Sequence, residues 1–297
     1  MISPRLSAIF VIILWAFCYP LITIGIVFAP HLTFAALRAL TAGAVLLLVA
    51  VCLKEPLPKG SSTWGWISLT GFGMTGLGYF GMFHAAEFVA PGLATIVANT
   101  QPIFAALLGY VLLGERQALR GWIGMLFGFA GILIVAGPQI FGGEQLSTGV
   151  GVIYVLLAAL GVAAGNVAIK KLANRVKPAM AMGLQLLIGS VPLMIIALLT
   201  EQPRDLEWST SFIFSLLGLA IPGTALAFWL WQSALRDIPL SQANVFSFLG
   251  PFFAITIGAV FFAEKLTLTV LIGVGVAAFG VYLATRPEPP GDRAALE

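Results

Sequence analysis

Long apolar runs separated by short polar breaks dominate this chain. The runs fall near 6–28, 32–53, 63–85, 91–113, 118–137, 148–170, 178–199, 210–235, 240–262 and 266–285. A helix needs ~20 mostly apolar residues to cross ~30 Å of hydrocarbon, and each run is close to that length. The runs are continuous rather than alternating, which argues against barrel strands. The breaks carry charges and turn formers: Lys54-Glu55-Pro56, Gly114-Glu115-Arg116, Gly142-Gly143-Glu144 and Glu201-Gln202-Pro203-Arg204-Asp205. The pattern predicts an all-α integral membrane protein with ten transmembrane helices. The run from Leu6 to Phe28 is too long for a signal-peptide core and lacks a small-x-small cleavage site, so it reads as an uncleaved first span. The polar tail from Arg286, with Pro287, Pro289 and Pro290, is expected to be disordered.

Composition sharpens the class. Sixty per cent of the 297 residues are hydrophobic and 9% are charged, against roughly 25% charged in a soluble domain. The formal charge of +3 comes from loop residues. No basic stripe alternates with stacking aromatics, so no nucleic-acid partner is expected. Cys18 and Cys52 both fall in apolar runs and read as small buried hydrophobes rather than a disulfide or metal framework. No cofactor and no metal are expected.

Basic residues set the expected orientation. With the N-terminus inside, the cytoplasmic segments hold twelve Lys and Arg, and the outer loops hold only Arg204 and Lys265. That is a positive-inside bias, and it places both termini in the cytoplasm. The fifteenth basic residue, Arg38, lies inside a span.

The chain also repeats itself. A shift of 149 residues lays Gln101–Ala136 over Gly250–Thr285 without gaps; Pro102 meets Pro251, Phe104 meets Phe253, Glu115 meets Glu264, and Gly124 and Gly131 meet Gly273 and Gly280. The earlier spans match less well, though Gly71 and Gly76 find Gly218 and Gly223 at a shift of 147. The shift covers five spans, and five is odd, so the two copies must enter the membrane in opposite senses. Loop charge agrees: Lys54 and Lys59 correspond to the acidic loop of Glu201, Asp205 and Glu207. Residues 1–137 are thus expected to form a first five-helix repeat, and 148–285 an inverted second. Residues 138–147 form an outer linker and 286–297 a cytoplasmic tail. Halves related in this way can exchange inward-open and outward-open arrangements, which is the logic of a transporter.

The Trp15-Ala16 pair in the first span, Arg38 early in the second, and the Pro102…Gly114-Glu115-Arg116 stretch together resemble the EamA branch of the drug/metabolite transporter superfamily. The resemblance covers almost the whole chain and is nearest to the bacterial aromatic amino-acid exporters. It implies ten helices around a central cavity and efflux of amino acids or related metabolites across a bacterial inner membrane.

Polar groups are costly in lipid and usually face the bundle interior. Thr95, Asn99 and Pro102 recur at helical spacing in the fourth span, as do Asn244, Ser247 and Pro251 in the ninth. These two spans are expected to line the cavity and to bend at Pro102 and Pro251, because a proline removes one helix hydrogen bond. Interhelical bonding with static kinks is the structural alternative. Tyr79 and His84 in span three join the proposed set, as do Trp229 and Gln232 in span eight, Trp15 and Tyr19 in span one, Asn166 in span six and Gln185 in span seven. An aromatic wall would suit aromatic or cationic substrates. Arg38 is compatible with pairing a substrate carboxylate, and equally with capping carbonyls or snorkelling outward. His84 or the flanking Glu87 would carry any proton coupling, though a hydrogen-bonding role fits His84 as well. Glu115 and Glu264 are expected to favour the N-termini of the spans that follow them. The many glycines of spans three, five and ten are expected to permit close helix packing.

The residues are compatible with three function classes: a metabolite exporter, an intramembrane enzyme, and a channel or receptor. No His-Glu-x-x-His or Gly-x-Ser-x-Gly motif appears, so an intramembrane enzyme is disfavoured. A channel or receptor is the third class; a channel would give conductance at fixed potential, whereas a carrier should show counterflow and saturation. A sugar or nucleotide-sugar carrier would need phosphate-binding groups beyond Arg38. The reading is a secondary exporter of neutral amino acids, including aromatic ones, with a small-molecule substrate and the lipid bilayer as its partners. A monomer is the expected state, with a dimer as the alternative.

Overall fold

The computed structural model describes residues 3–85, 88, 91–141, 148–202, 205–250, 252–253, 256–257 and 267–286. Glu87, Arg204, Pro251, Glu264, Lys265, most of the linker and nearly all of the tail lie outside the described residues, as does the side chain of Tyr19. Among the described residues every regular element is helical.

The apolar runs become helices because lipid offers no partner for backbone groups, so each segment must satisfy its own. In chain order they are α1 (Pro4–Gly25), α2 (His31–Cys52) and α3 (Ser61–Thr70). A π-helical segment, Gly71–Leu77, then leads into α4 (Gly78–Ala85). Next come α5 (Pro91–Ala98), α6 (Gln101–Leu113), α7 (Leu119–Phe141), α8 (Thr148–Leu172) and α9 (Pro178–Thr200). A second π segment, Ile221–Leu226, joins α10 (Thr210–Ala220) to α11 (Ala227–Ala234). The chain continues through α12 (Leu240–Val245), a 3-10 turn at Phe246–Leu249, and α13 (Leu268–Thr285).

Six helices among the described residues are long and apolar enough to cross a membrane: Pro4–Gly25, His31–Cys52, Gly149–Leu172, Pro178–Thr200, Thr210–Ala234 and Leu268–Thr285. Their outward faces are apolar, with Leu199 and Leu268 each more than 70% exposed. Such a surface is intolerable in water and suits hydrocarbon.

Glycine sets the closest contacts. A β-carbon on Gly124 of α7 would lie 2.6 Å from the Gly280 carbonyl of α13, and one on Gly131 would lie 2.5 Å from that of Gly273. In the same way Gly73 meets Gly161 across α8, and Gly71 meets Gly189 across α9. Small residues let helix backbones approach where there is no hydrophobic gain from association, so van der Waals contact does the holding.

The pair α2 and α9 runs antiparallel through the centre, each capped by a carboxylate that follows the other. Glu201, after α9, accepts from the Leu32 amide at 2.8 Å and from the Thr33 amide and hydroxyl at 2.7 Å. Glu55, after α2, accepts from the Met180 amide at 2.8 Å. Neither helix has a side-chain cap of its own at its N-terminus, so these borrowed carboxylates occupy the helix-start donors.

Three sequence-based expectations change in detail. The run 91–113 is not one helix; it breaks between Ala98 and Gln101, and Pro102 sits in the first turn of α6. A proline fits there, where its missing amide is not needed. Cys18 is buried, whereas Cys52, at the end of α2, is exposed. Glu115 does not serve the helix that follows it: its carboxylate accepts from the Leu240 amide of α12 at 2.7 Å, because packing brings that free helix start closer.

Candidate functional site

Two polar clusters lie inside the bundle. The first centres on Arg38, which is 7% exposed. Its position on α2 faces the second π segment. Arg38 Nε donates to Thr224 Oγ1 at 2.8 Å, and Nη2 lies 3.6 Å from Cys18 Sγ on α1. Its guanidinium carbon sits 5.1 Å from the centroid of the Tyr79 ring on α4. Among the described residues no carboxylate stands within ion-pair distance of it. The Tyr79 hydroxyl is buried and has no hydrogen-bond partner among them. A buried guanidinium and an unsatisfied phenol side by side both gain from a further hydrogen-bond partner out of water.

The same arrangement recurs on α9 without the charge. Gln185, fully buried, accepts from Thr75 Oγ1 in the first π segment at 2.9 Å. Each π segment thus offers a threonine hydroxyl to the central helix of the other half. A π bulge shifts the helical register locally, which is why Thr75 and Thr224 can reach across.

The second cluster joins four helices. Trp231 Nε1 of α11 donates to Asn166 Oδ1 of α8 at 2.8 Å. Asn166 Nδ2 donates to Asn244 Oδ1 of α12 at 3.1 Å, and Gln101 Nε2 of α6 donates to the same oxygen at 2.7 Å. Asn244 Nδ2 donates to the Leu240 carbonyl at 2.8 Å. Trp15 of α1 packs on this cluster, its ring 5.5 Å from Trp231 and 6.1 Å from Phe228.

Just beyond it lies an ionic staple, at the end of the bundle that carries the basic loops. Lys170 Nζ of α8 donates to the carbonyls of Leu235 at 2.7 Å and Ile238 at 2.6 Å, and stands 3.9 Å from Glu115 Oε1. With the bond from Leu240 to Glu115, it ties the ends of α6, α8, α11 and α12 together.

The remaining residues singled out in the sequence are scattered. His84 of α4 stacks on Phe80 and on His31, with centroids 5.3 and 6.0 Å apart, and meets Tyr154 edge-on. His31 in turn lies 3.4 Å from Glu201. This aromatic group sits at the opposite end from the basic loops. Asn99 turns back to its own helix, Nδ2 donating to the Thr95 carbonyl at 2.8 Å. Ser247 is half-buried in the 3-10 turn. Gln232 is fully buried, with Nε2 3.3 Å from the Val176 carbonyl, away from both clusters. Trp229 is 36% exposed on α11 and joins neither cluster.

Five residues of these clusters are not among the candidates from the sequence: Thr75, Gln101, Thr224, Phe228 and Trp231. The signal for three of them was present. Thr224, Phe228 and Trp231 follow steps of four and three, one helical face, and Trp229 lies about 100° off it. Gln101 sits at a helix break, where periodicity gives no face.

Both halves of the chain match the profile of the EamA-like transporter family, over residues 3–137 and 149–286. The chain is 29% identical over 287 residues to the uncharacterised transporter YvbV of Bacillus subtilis, covering 97% of this chain and 93% of that protein. It is 27% identical over 285 residues to the uncharacterised inner membrane transporter YedA of Escherichia coli K12, covering 95% and 90%. A solved crystal structure shares the fold with a TM-score of 0.83 at 22% identity, over 96% of this chain and 99% of that one.

Proposed function

The chain belongs to the EamA-like transporter family, and we propose that it exports neutral amino acids, including aromatic ones, and related small metabolites by alternating access. The observation that carries the substrate class is Arg38: a buried guanidinium without a carboxylate partner among the described residues, beside the unsatisfied hydroxyl of Tyr79. A substrate carboxylate would complete that pair. The rings of Trp15, Phe228 and Trp231 offer stacking surface for the side chain.

The proposed framework is ten spans in two inverted five-helix repeats, 1–137 and 148–285, around a shared cavity. Three paired features support it: the caps by Glu55 and Glu201, the two π segments, and the bonds of Thr75 and Thr224 to the opposite central helix. The charge bias of the loops supports an inner-membrane orientation with both termini in the cytoplasm. In this scheme the conformer described here is closed at the basic-loop end by the staple of Glu115, Lys170 and Leu240. Residues Trp15, Tyr19, Arg38, Tyr79, His84, Thr95, Asn99, Asn166, Gln185, Trp229, Gln232, Asn244 and Ser247 remain the proposed substrate set, with Pro102 and Pro251 as hinges. Arg38, Tyr79, Trp15, Asn166 and Asn244 form its centre.

Counterflow of labelled amino acids in proteoliposomes, with and without a pH gradient, tests the reading. Saturable exchange of phenylalanine or another large neutral amino acid is expected. Absence of exchange for every amino acid, with exchange of sugars or sugar phosphates, would transfer the protein to the carrier class of the same fold.

A further inference from the structure

A concavity of about 610 Å³ opens at the basic-loop end, away from both polar clusters. Three connections build it. Pro56, Leu57, Pro58, Lys59 and Thr63 come from the α2–α3 connection and the start of α3; residues 173–177 come from the α8–α9 connection; and Arg236 follows α11. Four of the lining side chains are cationic (Lys59, Arg175, Lys177 and Arg236), and none is acidic.

The nearby carboxylates do not neutralise them. Glu55 is engaged by the Met180 amide, and Asp237 is exposed and outside the lining. The Nε of Arg236 is buried with no hydrogen-bond partner. The start of α3, after Gly60, adds its positive end and has no side-chain cap of its own. A positive-inside bias scatters basic residues over loops; it does not by itself gather four around one hollow without a counter-charge, where their mutual repulsion is greatest.

We propose that this hollow binds the phosphate headgroup of an anionic phospholipid. Its position at the end of the spans puts it at headgroup level. The lining is amphipathic as a lipid requires: Thr63 and Asn174 offer donors beside the cations, and Leu57, 68% exposed, and Pro56 and Pro58 offer an apolar rim. Basic pockets between helices on the cytoplasmic side hold anionic headgroups by the same balance of charge and apolar contact. A headgroup seated there touches connections from both halves of the chain, so the lipid would brace them at that end.

Native mass spectrometry of the full chain, after exchange into phosphatidylglycerol or phosphatidylcholine, reads the site directly. Wild type should retain phosphatidylglycerol and not phosphatidylcholine. Each basic group near a membrane surface contributes about fivefold in affinity, so Arg175→Gln/Arg236→Gln should weaken retention about 25-fold. The exposed pair Lys59→Gln/Lys177→Gln should do the same, and serves if the first variant is not monodisperse. Arg5→Gln/Arg286→Gln removes equal charge outside the hollow and should leave retention unchanged. Equal loss from the control and the cavity variants would overturn the proposal. So would binding of inorganic phosphate that is lost in Arg175→Gln/Arg236→Gln and yet displaces no phosphatidylglycerol from the lipid-loaded protein, which would make the hollow a soluble-anion site instead.

Discussion

Glu201 caps a helix 168 residues away from it in the chain, taking both the amide and the hydroxyl of Thr33 at 2.7 Å. The bond fixes the start of α2 against the end of α9, and Glu55 fixes the converse end through Met180. Helix-start donors in an apolar setting have few alternatives, so Glu201→Ala should cost about 1–2 kcal/mol. Thermal unfolding in detergent should show a lowered midpoint, with Glu201→Gln intermediate. An unchanged midpoint for Glu201→Ala would mean that water replaces the cap.

Arg38 should discriminate substrates by charge. Arg38→Gln removes the proposed carboxylate partner, and exchange of amino acids should fall by about 10- to 100-fold, the worth of one charge-assisted hydrogen bond. Arg38→Lys should recover little, because a point charge cannot keep the Thr224 contact and the carboxylate together. Counterflow rates for both variants, normalised to folded protein, decide this. Rates equal to wild type would leave Arg38 a purely structural group.

Asn244 accepts from both Asn166 and Gln101. Asn244→Leu should abolish counterflow and also lower stability by about 1–3 kcal/mol, because buried Asn166 and half-buried Gln101 lose their acceptor. Asn99 bonds only within its own turn, so Asn99→Leu should leave the thermal midpoint nearly unchanged. Comparing the two variants separates a transport effect from a folding effect.

The staple at the basic-loop end should bias the conformational equilibrium. Lys170→Met removes its bonds to the Leu235 and Ile238 carbonyls and its approach to Glu115. In the alternating-access scheme this favours opening at that end by about 1–2 kcal/mol. A cysteine placed at the buried Ala106 of α6, in a background lacking Cys18 and Cys52, should then react about 5- to 30-fold faster with a thiol reagent. No acceleration would show that the staple does not gate.

Glycine contact supplies a further check. Gly131→Val would place its first side-chain carbon against the Gly273 carbonyl of α13, at 2.5 Å. The α7–α13 pair must then separate, and the variant should lose yield or monodispersity by size exclusion. Gly149→Val, where nothing lies within 4 Å, should be tolerated.

Much of the architecture was legible in the residues themselves. Uninterrupted apolar length specifies lipid-crossing helices wherever backbone groups have no other partner, and the small residues at helical spacing specify where two helices can touch. Arg38 stood out because a lone charge in an apolar run demands a reason. Other features were invisible. Glu115 precedes a helix in sequence and serves a different one in space. Trp229 and Trp231 are identical in type; the face that Trp231 shares with Thr224 and Phe228 separates them in the sequence, but its partners Trp15 and Asn166 are set by packing alone.

The sequence by itself determined the solvent this protein lives in, the apolar segments that become helices, and the family to which it belongs, because those depend on local length, polarity and order of residues; the breaks at Ala98–Gln101 and Phe246–Leu249 it did not show. The tertiary structure alone decided which buried polar groups meet. The pairings of Arg38 with Thr224, Gln185 with Thr75 and Asn166 with Asn244 join residues 78 to 186 positions apart. Such partners are chosen by how helices cross, and no local pattern of residues encodes a crossing.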